Sequence, residues 1–343
     1  MSGAQDSNDI DKAANHIDAN NGQIRDSDLS LSSEPAPFVP ITSEAGEETF
    51  PSHEPLPGDE PLFAHYEYLS PRRPAPRKPH FGDFLIFLLV AYGGIRSSVL
   101  VVAVALHYHL FGVSTLKQAE EEIHYKIGSQ AAWYVITLVL SSVVFPLIWR
   151  KGFFEGLEWR ASAAARHMWR LLGAAAACFV VALADEILIP GPANTPIDQT
   201  FHMPGAIWLL FGFGVTLAPL IEEITYRGFL LPALCTAYDW TVEQITGSNA
   251  PQPRTDGSIH WSMPAMIVAS VVSSIPFALM HGEQTAYSIG PFLLLVAISL
   301  VLCWIRLAVR SLAASVMVHS SYNLLLFSLM FLGTDGFRHL DRM

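Results

Sequence analysis

FLIFLLVAYGGIRSSVLVVAVALHY, residues 84–108, runs for 25 positions with one permanently charged side chain, Arg96. About 20 apolar residues rising about 1.5 Å each cross a hydrocarbon core of about 30 Å, so this stretch reads as a membrane span. Comparable runs follow near 130–149, 168–189, 206–232, 262–282, 287–305 and 311–332. The expected fold class is all-α, a polytopic membrane protein of about seven transmembrane helices. TLKQAEEEIHYKIG (115–128) offers an eighth, as an amphipathic helix lying on the surface.

The whole-chain composition agrees. Hydrophobic residues make up 51% of the 343 positions and charged residues 15%, against about 25% charged in an average soluble domain. The formal net charge of −11 belongs mostly to residues 1–80, which hold 14 acidic and 6 basic side chains and 11 of the 23 prolines. Such a segment cannot bury enough apolar surface to offset its chain entropy. It is expected to be a disordered, acidic, Pro-rich cytoplasmic tail ahead of a transmembrane domain at 81–335. Nucleic acid is not an expected partner; the lipid bilayer and a protein or peptide substrate are.

Orientation follows from the loops. PRRPAPRKPH (71–80) puts Arg72, Arg73, Arg77 and Lys78 just before the first span, and the second connection carries Arg150, Lys151, Arg160, Arg166 and Arg170. The loops around 109–129 and 190–205 are acidic or nearly uncharged, while Arg306 and Arg310 return to the basic side. Lys and Arg are retained on the cytoplasmic side, so the amino terminus is expected inside. MSGAQDSNDI lacks a basic stretch followed by an apolar one, so no cleaved signal is expected. The expected location is a bacterial inner (cell) membrane. Cys178, Cys235 and Cys303 lie in or beside apolar segments without a paired spacing, and read as small buried hydrophobes.

Ionisable groups inside spans cost at least about 2.5–3.5 kcal/mol each, so each needs a partner or a task. In LAPLIEEITYRGFLLPAL (217–234), Glu223 and Arg227 are four apart on one helix face and can pair. Glu222 is turned about 100° away with no evident cation in its own segment, which makes it a general-base candidate. A protonated Glu bonded to a neighbouring helix is the structural alternative. Pro219 should disturb this helix and expose carbonyl groups, and such backbone at membrane depth implies protein or water beside it. IPFALMHG sets Phe277 and His281 four apart, and ASVMVHSSYNLLLF does the same for His319 and Asn323; an interfacial His and a polar clamp between helices are the corresponding structural readings. Arg96 could pair with Glu223 or snorkel, and Asp185 with Glu186 reads as structural or interfacial. HGEQT is not His-Glu-x-x-His, and the chain has neither a Gly-x-Ser-x-Gly elbow nor a phosphate loop.

Glu-Glu-x-x-x-Arg at 222–227, Phe-x-x-x-His at 277–281 and His-x-x-x-Asn at 319–323 occur in that order, each in its own span. Together they resemble the CPBP family of CAAX proteases and bacteriocin-processing enzymes, also called the ABI family, over residues 205–332. The resemblance implies an intramembrane endopeptidase whose cavity opens to the cytosol and whose eukaryotic relatives trim prenylated CAAX proteins. On this chain it implies that Glu222 with His281 activates water, and that His319 and Asn323 donate to the oxyanion. Glu223 and Arg227 would be the supporting pair and Phe277 a packing residue. Eukaryotic-type relatives look metal-free, so no cofactor is expected; a zinc ion, if bound, would take Glu222, His281 and His319.

Two other classes stay open on the residues alone. One is a non-catalytic scaffold or bacteriocin-immunity protein of the same fold. The other is a proton-coupled transporter using the buried carboxylate and histidines.

Overall fold

A computed structural model of the chain describes residues 78–192, 195–203, 205–247 and 261–339; the expected tail lies, up to residue 77, outside them. Seven helices are long and apolar enough to cross a membrane: α1 Phe81–His107, α2 Ile123–Trp149, α3 Met168–Leu188, α4 Ala206–Thr246, α5 Met263–Met280, α6 Ile289–Val309 and α7 Leu312–Gly333. No strand occurs among the described residues. The all-α, seven-span expectation holds, and the chain is an integral membrane protein.

The boundaries shift where local chemistry decides them. α2 starts seven residues before the expected 130 and absorbs much of the proposed surface helix. What remains of that helix is Leu116–Glu121, begun by a reciprocal cap between Thr115 and Gln118 and ended by the extended backbone of Glu122. α4 continues to Thr246, fourteen residues past the expected 232, because its last part is amphipathic and caps its neighbour. Asp239 there accepts from the Ser262 N–H at 3.0 Å and hydroxyl at 2.6 Å, at the start of α5.

α1 and α2 run antiparallel. His80 and Asp83 cap the start of α1 reciprocally, and the buried Asp83 also accepts from Trp149 Nε1 at 3.0 Å at the end of α2. Farther along, Trp133 Nε1 donates to the Ala91 carbonyl at 2.9 Å. The aromatic core formed by Phe87, Phe145, Trp149, Phe153 and Phe229 fills the space beneath this pair.

At the same end the segment between α2 and α3 clamps the turn between α6 and α7. Leu312 N–H donates to Glu158 O at 3.1 Å, Ser311 Oγ to Arg160 O at 2.9 Å, and Arg306 pairs with Glu158 at 2.9 Å. The three cysteines are free and buried, as their surroundings implied.

Helix proximity between α1 and α2 rests on Gly94, where a Cβ would collide with the Thr137 hydroxyl and Trp133, while Gly93 faces open space. Forced overpacking costs about 1–3 kcal/mol. Gly94→Leu is therefore expected to lower the thermal unfolding midpoint in detergent by several degrees, with Gly93→Leu close to wild type; equal effects would contradict this contact.

Candidate active site

α4 is irregular where the chemistry-bearing residues gather. Its first piece, Ala206–Val215, ends at Thr216 (φ −119°, ψ −77°), and Leu217–Glu223 follows on a new line. Pro219 explains the break, since it has no N–H to offer the Val215 carbonyl four residues earlier. Two side chains serve carbonyls in this stretch: Thr216 Oγ1 donates to Gly212 O at 2.6 Å, and Asn323 Nδ2 from α7 donates to Gly214 O at 2.7 Å. Beyond Glu223 the chain winds as a π-helix over Ile224–Leu230, a form that often marks functional sites.

Glu223 and Arg227 are both fully buried and pair at 3.0 Å. The pair has more partners than the helix itself supplies. Arg227 Nη2 donates to Ser299 O at 3.0 Å and Ser299 Oγ at 2.7 Å on α6, and its guanidinium lies 4.5 Å from the centroid of the Phe277 ring. Glu223 Oε1 also lies 2.9 Å from His319 Nδ1. An ionised carboxylate only accepts hydrogen bonds, so Nδ1 carries the proton and Nε2 points elsewhere.

Nε2 of His319 points to Glu222, at 3.8 Å from Oε2, and His281 Nε2 reaches the same oxygen at 3.9 Å. His281 is the residue at which α5 stops. Its Nδ1 lies 2.9 Å from the Phe277 carbonyl, which again fixes the proton on Nδ1 and leaves Nε2 toward Glu222. α5 ends at the level of Glu222, and a cavity comes down to meet it.

That cavity, about 610 Å³, is lined by all four residues Glu222, His281, His319 and Asn323, and its size suits a ligand cleft. Its walls also take in Ile123 and Lys126 at the start of α2, Thr200 before α4, and Gln284 between α5 and α6.

Several expectations need correction. Arg96 is exposed, so it does not meet the buried Glu223, whose carboxylate goes to Arg227 and His319. Glu222, without a cation in its own segment, is faced by two histidines from other spans. Phe277 does more than fill space, since it covers Arg227 and supplies the carbonyl that orients His281. Arg306 is buried, with 2% exposure, and its Nε donates to the Arg227 carbonyl at 3.3 Å; it is not a loop charge. Ser299, Glu158 and Arg306 were missed as members of this network. Arg306 could have been found from its place in the last turn of an apolar span.

Two imidazoles and a carboxylate, each imidazole bonded through its other nitrogen, share features of a zinc ligand set. Their spacing is wider than that of a closed zinc set. Tetrahedral ligands at about 2.0–2.1 Å from zinc stand about 3.3 Å apart, less than the 3.8 and 3.9 Å found. No group of three or more His, Cys, Asp or Glu among the described residues is arranged to hold a metal ion.

A family model described as Rce1-like, type II CAAX prenyl endopeptidase Rce1-like, matches residues 204–325, a segment that contains all three motifs. No curated protein and no solved structure matches the chain.

Removing one partner of a buried ion pair costs about 3–5 kcal/mol, because the other charge is left uncompensated. Arg227→Met should destabilise the protein in detergent by an amount of this order, and Glu223→Gln combined with Arg227→Met should recover much of the loss. An Arg227→Met variant as stable as wild type would contradict the pairing.

Proposed function

We propose, from the match of residues 204–325 to the Rce1-like family model, that this chain hydrolyses a peptide bond of a membrane-associated protein or peptide, with Glu222 as general base. The observation that carries the reading is one carboxylate oxygen faced by two imidazole nitrogens at 3.8 and 3.9 Å on the cavity wall. These gaps are too long for direct hydrogen bonds and wide enough for a bridging water.

Glu222 takes a proton from that water while the lone pair of His281 Nε2 accepts its second hydrogen. The water oxygen bonds to the scissile carbonyl carbon, and the carbonyl π electrons move to its oxygen. Asn323 has spent one amide N–H on Gly214 and keeps the other for the oxyanion. His319, when doubly protonated, donates through Nε2, with Glu223 carrying the opposing charge behind it. Collapse of the adduct breaks the carbon–nitrogen bond, and the proton held by Glu222 passes to the leaving amine. No step is routed through a metal. Glu223, Arg227 and Phe277 act by orienting His319 and His281.

The test is cleavage of a peptide library by purified protein in lipid. General-base loss costs about 10²–10⁴, so Glu222→Gln should lower kcat by that order. Loss of an oxyanion donor costs about 10²–10³, so Asn323→Ala and His319→Ala should fall in that range with smaller changes in KM. Chelator should leave the wild-type rate unchanged; a rate abolished by chelator and restored by zinc would replace the glutamate mechanism with a metal one. If folded wild type cuts nothing, the scaffold or transport reading takes the place of the peptidase.

A further inference from the structure

The cavity and the charges lie at opposite ends of the bundle. α1 begins at the end where α2 finishes, as the Trp149 to Asp83 bond shows, and where the α6 to α7 turn is clamped on Glu158 and Arg160. This end carries Arg150, Lys151, Arg160, Arg166, Arg170 and Arg310. It is also closed, because the aromatic core around Phe229 and the buried Arg306 separate it from the site.

The cavity wall is built from the middle and the opposite end of the helices it uses. From α2 come Ile123 to Gln130, from α4 Leu210 to Glu222, and from α7 His319 to Phe327; Gln284 follows the end of α5. The opening therefore lies among the start of α2, the short helix Pro196–Phe201 and the α5 to α6 connection. That end carries Glu120, Glu121, Glu122, Asp198 and Glu283 against Lys117 and Lys126, so it is acidic on balance.

Lys and Arg near span ends are held on the cytoplasmic side. Applied to this architecture, the rule puts the closed basic end inside and the mouth outside. A cytosol-facing cavity and a cytoplasmic segment before α1 cannot both hold in this fold, and the charge distribution selects the second. We infer that the catalytic cavity opens on the extracytoplasmic face, and that the substrate is a peptide, or the protruding end of a membrane-inserted segment, on that side, with apolar side chains entering beside Phe213 and Phe327. The substrate class rests on the peptidase reading above; the orientation does not.

Single cysteines test it, since the three native thiols are buried. Gln284→Cys sits at the mouth and Lys151→Cys at the basic end, both at exposed positions, and each is treated with a membrane-impermeant maleimide in spheroplasts of an expressing bacterium. At least tenfold stronger labelling of Gln284→Cys is expected, with the two equal after permeabilisation. The reverse preference overturns the inference. The same labelling in the Glu222→Gln background reads orientation without catalysis. Sealed right-side-out vesicles should then cleave an added apolar peptide. Labelling as expected without cleavage in vesicles of either orientation overturns the peptidase reading and the substrate class together, while the orientation stands.

Discussion

A carboxylate wholly removed from water has to be answered by charge or hydrogen bonds, and Glu223 has one of each. Arg227 meets it from one turn along the same helix, and His319 meets it from α7. Arg227 in turn is held by Ser299 on α6 and covered by Phe277 on α5. One buried ion pair thus ties four spans together at a single depth. Buried pairs are weak contributors to net stability, yet breaking one is costly. That asymmetry favours the register in which all four helices meet over any slipped alternative.

The same constraint prepares the chemistry. Because Glu223 and the Phe277 carbonyl each occupy an Nδ1, both histidines present Nε2 to one oxygen of Glu222. The adjacent carboxylates have therefore divided their tasks by position. Glu223 is sealed behind the imidazole and holds it, whereas Glu222 faces the cavity. Backbone irregularity supplies the rest: the break at Thr216 brings Gly214 O to Asn323, and the π-helical winding carries Arg227 into α6.

Much of this was legible in the residues. Long apolar runs gave the seven spans, and the i, i+4 spacing gave the Glu223 to Arg227 pair and the facing of Phe277 with His281. Pro219 announced the broken helix. What stayed hidden depends on contacts between helices, which spacing along one helix cannot report. Nothing local says that His319 meets Glu223 across 96 positions, that Ser299 receives Arg227, or that Arg306, in the last turn of α6, pairs with Glu158. The α2 boundary moved because the extended backbone of Glu122 divides it from the helix capped at Thr115, and α4 runs on to Gly247, whose left-handed conformation ends it, with Asp239 joining it to the start of α5. The side on which the cavity opens needed helix direction and loop charge read together.

The central claim is that water, activated by Glu222, attacks the peptide carbonyl directly. A single turnover with enzyme in excess, run in ¹⁸O-enriched water and analysed by mass spectrometry, tests it. The account predicts that the newly formed carboxylate carries one solvent ¹⁸O in that first turnover. A first-turnover product containing only ¹⁶O, delivered from the side chain of Glu222 through a covalent acyl-enzyme, would contradict it.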